Sequence, residues 1–225
     1  MGTLRWELMA ESFKPLLKGT VITLELTAGA VLIGIVIGLF ISLMRLSSNR
    51  LFRGFAIAYV DFFRGTPLLV QILMVYFAAP QLLGFQTPDN YQFIAGISAM
   101  GLNSGAYIAE IFRSGIQSID RGQTEAARSL GMTQGQAMRY IILPQAFKRV
   151  IPPLGNEFIA LLKDSSLVAI IALEDLMYTG KIIVGRTVQP FVIYLEVALF
   201  YLVMTLVLSR FVNYTERRLG KSDSR

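Results

Sequence analysis

Five long apolar segments constrain the fold of this chain more than any other feature of its sequence. They lie at residues 21–44, 67–83, 91–115, 165–185 and 188–212. Each has about 17–25 residues, the length with which a helix rising 1.5 Å per residue crosses a hydrocarbon core of about 30 Å. A helix satisfies its own backbone hydrogen bonds in lipid, and the short alternating strands of an outer-membrane barrel do not occur in the sequence. We therefore expect an all-α membrane protein in which residues 1–225 form one domain with five transmembrane helices.

The composition supports lipid as the solvent and excludes several kinds of chemistry. Of the 225 residues, 54% are hydrophobic and only 16% are charged, whereas a soluble domain carries about 25% charged residues. The chain has no Cys and no His. Disulfides, thiol nucleophiles, Cys/His zinc sites and histidine acid–base catalysis are therefore excluded.

The distribution of basic residues predicts the orientation in the membrane. Most of the 21 Lys and Arg residues fall in the 45–66 loop, in the 113–164 region and in a C-terminal tail that includes Lys221 and Arg225. The positive-inside rule places these regions in the cytoplasm, with the N-terminus outside and the C-terminus inside. Because topology accounts for the net charge of +6, we expect no nucleic-acid partner.

Polar residues within the apolar segments mark a candidate substrate path, because such residues are unfavourable in lipid and commonly line transport routes. Helix–helix hydrogen bonding explains any one of them equally well, and an ion pair with Arg113 explains Glu110. Acidic residues outnumber basic ones at depth, which favours a cationic solute. The candidates are Gln71, Asn103, Ser104, Glu110, Asp175 and Glu196.

The region at residues 116–164 is predicted to be a long cytoplasmic loop of short helices. Thr124 is a possible N-cap for a helix that Gly131 ends, Thr133 is a cap for the next helix, and Pro144 marks a break. A short helix between a Gly turn and a Pro could dock into another protein or could simply cover the bundle. The physical pattern leaves both interpretations open.

The residues of this loop resemble the EAA loop of ABC-transporter permeases. The resemblance rests on Glu125-Ala126-Ala127, on Gly131 and on "ILP" at 142–144. Five stretches of the chain, two of which contain the loop residues named above, resemble the polar amino-acid uptake subgroup of this family, which has a MetI-like fold. They are "FFRGTPLLVQ" (62–71), "AYIAEIFRSGIQSID" (106–120), "GQTEAARSLGM" (122–132), "ILPQA" (142–146) and "PPLGNEFIALLKDSSL" (152–167).

This resemblance implies a coupling helix at residues 124–131 that sits in a groove of an ABC ATPase subunit. The partner subunit would bind ATP and Mg, and this chain would hold no cofactor. The resemblance implies three further partners. They are a second permease chain, identical or related, an extracytoplasmic amino-acid-binding protein, and the lipid of the bacterial cytoplasmic (inner) membrane. The implied coupling residues are Thr124, Glu125, Ala126, Ala127, Leu130, Gly131 and Pro144.

The sequence lacks a Gly-x-x-x-x-Gly-Lys-Ser/Thr loop, so we do not expect the chain to hydrolyse ATP itself. We expect it to translocate polar amino acids by alternating access while its partner hydrolyses ATP. The acidic surplus favours cationic substrates such as arginine, lysine or histidine, and glutamine or glutamate is the alternative. A secondary transporter driven by an ion gradient would also contain intramembrane acids, but it would not need the EAA loop. A purely structural membrane subunit would not need the polar residues at mid-span.

Overall fold

The computed structural model describes residues 5–220, and within that range every regular element is helical. Lys221 and Arg225 lie outside the described residues. The α-helices are α1 (Leu8–Leu46), α2 (Arg50–Gly65), α3 (Leu68–Leu73), α4 (Ala79–Leu83), α5 (Tyr91–Gln117), α6 (Arg121–Ser129), α7 (Gln134–Ala137), α8 (Leu143–Asp164), α9 (Leu176–Thr187) and α10 (Pro190–Gly220). A π-helical turn at Met74–Ala78 joins α3 to α4, another at Met138–Ile142 joins α7 to α8, and a 3-10 helix at Ser165–Ile171 follows α8.

Two of the described helices are long and apolar enough to cross a membrane, Leu8–Leu46 and Pro190–Leu219. A third candidate is the pair Arg50–Gly65 and Leu68–Leu83, which is bent by 104°. The all-α expectation is confirmed, whereas the number of five spans stays a prediction. The first and last helices also extend beyond the predicted apolar segments, since α1 begins at Leu8 and α10 continues to Gly220.

Close contact between α1 and α5 forms the centre of the bundle. A Cβ atom added at Gly38 would lie 2.7 Å from Ile108 Cγ2, and one added at Gly101 would lie 2.8 Å from Ile33 Cγ2. Small residues on both helices therefore allow the backbones to approach, as expected for helices that associate in lipid. The core continues around buried Leu26, which lies in one cluster with residues of α3, α5, α8 and the 3-10 helix, namely Ile72, Met100, Leu161 and Val168.

The predicted single helix at residues 165–185 is wrong, because the chain breaks there. The 3-10 helix ends at Ala172, whose φ is 58°, and α9 starts only after Asp175. The break is stable because Asp175 accepts hydrogen bonds from the N–H groups of Met177 and Tyr178, while Thr23 on α1 accepts one from Leu176. Hydropathy does not report such caps, so the segment resembles one continuous span in the sequence.

The predicted cytoplasmic loop at residues 116–164 also extends too far, because its last part belongs to the bundle. Helix α8 continues to Asp164, and Leu161 and Leu162 near its end are both buried in core clusters. A Cβ atom added at Gly155 would collide with Val212 of α10. Charged and amide residues lower the hydropathy of α8, yet its apolar side chains pack against the other helices.

Candidate coupling surface and polar contacts of the bundle

Helix α6 carries the Glu-Ala-Ala residues and presents one face to solvent. Its N-cap is Asp120, whose Oδ1 accepts a 2.7 Å hydrogen bond from the Gly122 N–H. The predicted N-cap at Thr124 is therefore wrong, since Thr124 lies within the helix and Asp120 caps it a turn earlier. Glu125 and Ala126 are exposed, while Ala127 is buried on the opposite face.

The end of α6 is a turn with a positive φ, a conformation that glycine adopts readily and β-branched residues do not. Gly131 has a φ of 86°, and the Met132 N–H donates to the Ala127 carbonyl at 3.1 Å. Leu130, immediately before this turn, is 85% exposed. The predicted helix end at Gly131 is confirmed.

The segment after the turn supports α6 from behind. Thr133 and Gln136 form a capping box at the start of α7, which confirms the predicted cap. Pro144 lies in the first turn of α8, directly after the π-helical turn at Met138–Ile142. The α-helical hydrogen bonding is therefore interrupted just before Pro144, as predicted, although the helical path itself continues. A small cluster made by Ile119, Ile142 and Ala146 then fixes the segment to the end of α5.

Glu110 is the centre of an ion-pair cluster. Its carboxylate accepts a 2.7 Å hydrogen bond from Arg113 Nη2 and also contacts Arg45 of α1, while Arg64 Nη1 of α2 lies 4.0 Å away. The ion pair with Arg113 that the sequence suggested is present, and two further arginines join it. Among the described residues, this arrangement occupies Glu110 with protein contacts.

Gln71 and Asn103 close the break between α2 and α3. Gln71 Nε2 donates to the Phe63 carbonyl at 2.9 Å and to the Thr66 hydroxyl at 2.8 Å. Asn103 Nδ2 donates to the same Phe63 carbonyl at 3.1 Å and to Gln71 Oε1 at 3.0 Å. Backbone carbonyls left free at a helix end need such partners. These two side chains therefore hold the 104° bend in place.

Asp175 and Glu196 are both buried and both have partners within the chain. Asp175 caps α9, as described above. Glu196 on α10 accepts a hydrogen bond from Ser12 on α1. It also lines a largely apolar cavity of 780 Å³ whose other walls include Phe13 and Phe200. Capping and helix–helix bonding thus account for the burial of each carboxylate.

Ser104 reveals an acidic residue that the sequence analysis missed. Its hydroxyl donates a 3.0 Å hydrogen bond to Oε1 of Glu157, which extends from α8 toward α5 in the bundle. Asp164 lies seven residues further along α8, on the same face and about 10 Å away along the helix. The assignment of residues 116–164 to the cytoplasm hid Glu157. The apolar spacing of Val150, Leu154, Phe158 and Leu161 could have indicated a buried helix face.

The structure does not bring the six residues predicted for the path together. Gln71 and Asn103 form one hydrogen-bond network, and Ser104 binds Glu157. The other three, Glu110, Asp175 and Glu196, each have a separate set of contacts elsewhere in the bundle. The structure therefore combines a rigid exposed helix at one end with polar contacts between packed helices. The class of protein that these features fit is a helical membrane protein with a short, capped and exposed helix outside its bundle.

Comparison with known proteins places the chain in a family. Residues 30–221 match the model of the binding-protein-dependent transport system inner membrane component. The arginine transport system permease protein ArtQ of Bacillus subtilis (strain 168) is 41% identical over 211 residues, covering 92% of this chain and 94% of that protein. The probable glutamine ABC transporter permease protein GlnM of the same organism is 42% identical over 219 residues, covering 96% and 98%.

Solved structures agree with this match. The crystal structure of an amino acid ABC transporter with histidines has a TM-score of 0.91 and 46% sequence identity, covering 96% of this chain and 100% of the other. The inward-facing MetNI methionine ABC transporter has a TM-score of 0.68 at 23% identity, covering 90% and 97%, and supports the fold. The chain belongs to the family of binding-protein-dependent transport system inner membrane components. It is an ABC-transporter permease subunit of the amino-acid type, located in a bacterial inner membrane.

Proposed function

We propose that this chain imports cationic amino acids by alternating access, with α6 as the element that receives the movement of the ATPase. The observation that carries the coupling role is the geometry of α6. Its N-cap at Asp120 and its turn at Gly131 fix both ends, and Glu125, Ala126 and Leu130 lie on its exposed surface. Thr124 and Ala127 belong to the same helix, and Pro144 begins the helix that supports it.

The rigid backing of α6 favours transmission of force rather than a passive cover. Arg149 of α8 donates to the Ser118 carbonyl at 2.5 Å and to the Ser118 hydroxyl at 3.1 Å. A push on α6 would therefore move the ends of α5 and α8 together. Packed helices shift as rigid bodies. A displacement of the ends of α5 and α8 would therefore also move the parts of these helices that lie in the bundle core.

The proposed orientation follows from the same element. An ATPase is cytoplasmic, so α6 and the adjacent ends of α1, α5 and α10 face the cytoplasm, and the start of α1 faces outside. The arginines of these ends, among them Arg45, Arg113 and Arg218, agree with the positive-inside rule. The binding protein would deliver the amino acid at the opposite face, beside the loop at residues 84–90.

The preference for a cationic substrate rests on Glu157. Its carboxylate lies between α5 and α8 with Ser104 as its hydrogen-bond donor, and no basic residue within the described part of the chain forms an ion pair with it. A guanidinium or ammonium group would supply the missing counter-charge. Gln71, Asn103, Asp175 and Glu196 contribute to the path by fixing the helices that surround it.

Glutamine is the second candidate, because the glutamine-type relative GlnM is as similar to this chain as ArtQ is. A reconstituted transporter distinguishes the candidates. We would assemble this chain with its second permease chain, its ATPase and its binding protein in proteoliposomes, and measure ATP hydrolysis with arginine, lysine, histidine, glutamine or glutamate.

Stimulation by the cationic amino acids would support the proposal. Stimulation by glutamine or glutamate alone would keep the coupling role and overturn the substrate. Uptake driven by an ion gradient without ATP would overturn both.

A further inference from the structure

Three arginines from three different helices converge at the α6 end of the bundle. Arg113 forms a 2.7 Å ion pair with Glu110, Arg45 contacts the same carboxylate, and Arg64 lies 4.0 Å from it. We call Arg45, Arg64 and Arg113 the arginine cluster. Glu110 is the one carboxylate that forms ion pairs with the cluster among the described residues. Three positive charges face one negative charge, so the cluster has an excess of positive charge.

Arg64 is the most exposed member of the cluster, with a side chain that is 45% exposed against 23% for Arg45 and 27% for Arg113. Its guanidinium lies over the ring of Tyr107, 5.3 Å from the ring centroid. Within residues 5–220 its guanidinium donates no hydrogen bond. A guanidinium carries five N–H donors in a planar fork that matches the oxygens of a phosphate. Tyr107 and Glu110 therefore hold an unused anion-binding group in a fixed position.

The surroundings of Arg64 resemble the interfacial zone of a membrane. Arg50 and Arg53 lie on the same side of α2 as Arg64 by helical spacing. A second side of α2 exposes large apolar residues, with Leu51 82%, Phe55 60% and Phe62 50% exposed. An amphipathic helix of this kind lies in the interface, with its apolar side in the acyl region and its basic side at the headgroups.

We infer that the arginine cluster binds the phosphate of an anionic phospholipid at the interface where the ends of α1, α2 and α5 meet. The charge complementarity between the cluster and a phosphate selects this occupant, and basic pockets between membrane helices bind anionic headgroups in this way. Bound lipid would link the ends of α1, α2 and α5 beside the coupling surface. This inference depends on the proposed function in one respect: the proposed orientation determines which leaflet of the membrane supplies the lipid.

The test is lipid binding to the complete transporter in an uncharged detergent. Phosphatidylglycerol, phosphatidylcholine and inorganic phosphate would be titrated separately, with bound molecules counted by native mass spectrometry and the melting temperature followed in parallel. We expect phosphatidylglycerol to bind and to raise the melting temperature, and the other two to do neither. Arg64→Gln should weaken binding about fivefold, the effect of one basic residue near an anionic surface. Arg53→Gln should weaken it less, and Arg186→Gln on α9 should leave it unchanged.

Several outcomes would overturn the inference. Equal binding of phosphatidylcholine would show that charge is not recognised, and equal binding of inorganic phosphate would identify a free-anion site. Unchanged lipid binding in Arg64→Gln and Arg53→Gln would place the lipid elsewhere. A cysteine introduced by Arg53→Cys, on the arginine side of α2, that cross-links to a second permease copy would assign this side of the helix to that copy. The measurement is made in micelles, which have no leaflets, and it requires no transport. A negative result for lipid binding would therefore not contradict the proposed function.

Discussion

The Ser104 hydroxyl on α5 donates a 3.0 Å hydrogen bond to the Glu157 carboxylate on α8. This bond joins a predicted span to a helix that the sequence suggested was cytoplasmic. It places a carboxylate between helices of the bundle, where a charge without a counter-ion is unfavourable. A cationic substrate is the partner that would satisfy it, and the helix that carries Glu157 also supports the coupling surface.

Glu157→Gln should raise the KM for arginine uptake at least about tenfold, because a hydrogen bond to a charged group contributes about 1.5–3 kcal/mol. The measurement is uptake of radiolabelled arginine by proteoliposomes that contain the complete transporter. Asp61→Asn, an exposed carboxylate on α2, serves as the control and should leave KM unchanged. An arginine KM equal to wild type in Glu157→Gln would exclude this carboxylate from substrate binding.

Gly131→Val should uncouple ATP hydrolysis from uptake while the chain still inserts into the membrane. A side chain fits sterically at this position, but the φ of 86° strains a β-branched residue, at a cost of about 1–2 kcal/mol or more. Gly131→Asn should retain coupling, because Asn tolerates this conformation, and Gly135→Val controls for bulk on the same surface. ATPase activity and uptake would be measured on the same preparations, and a fully coupled Gly131→Val would contradict the assignment.

Glu125→Lys should reduce coupling without affecting the stability of the chain, because Glu125 is exposed on α6 and its reversal changes only the charge offered to the ATPase. Binding of the isolated ATPase to the permease in detergent would be compared with wild type. Glu216→Lys, at the end of α10, is the control for a charge reversal away from α6. Equal ATPase affinity and full uptake in Glu125→Lys would show that this face does not receive the ATPase.

Gln71→Leu and Asn103→Leu should each destabilise the bundle by about 1–3 kcal/mol, since each leaves a buried polar group without its partner. Either substitution removes the hydrogen bond from Asn103 Nδ2 to Gln71 Oε1. The sum of the two single variants counts this bond twice, so the double variant should lose less than that sum. Thermal unfolding in detergent measures this, with exposed Gln86→Leu as the control. Strict additivity would mean that the two amides act independently.

Asp175→Asn should transport with a nearly unchanged KM, whereas Asp175→Ala should be destabilised by about 0.5–2 kcal/mol. Asn replaces Asp as a helix N-cap and Ala does not. Melting temperature and arginine uptake would be measured for both variants, and Glu196→Gln would be tested for uptake in the same way. A large rise in KM for Asp175→Asn would show that its charge, and not its cap, serves the substrate.

Several parts of the coupling site could be predicted from local sequence, because short-range chemistry determines them. The turn at Gly131 and the cap at Thr133 depend on the conformational freedom of glycine and on a hydroxyl three residues before Gln136. The N-cap of α6 was misplaced by a turn, since both Asp120 and Thr124 are acceptable caps and only the three-dimensional path selects Asp120.

The sequence by itself determined that this chain is a helical membrane protein with an exposed helical loop, because apolar length, basic loops and helix-ending glycines are local signals. Tertiary structure alone decided that the chain breaks before Asp175, that α8 joins the bundle and that Gln71 and Asn103 share one carbonyl. The physical reason is that a polar group can be buried only beside its partner. Thr23 and Leu176, or Ser104 and Glu157, are partners that lie far apart in the chain.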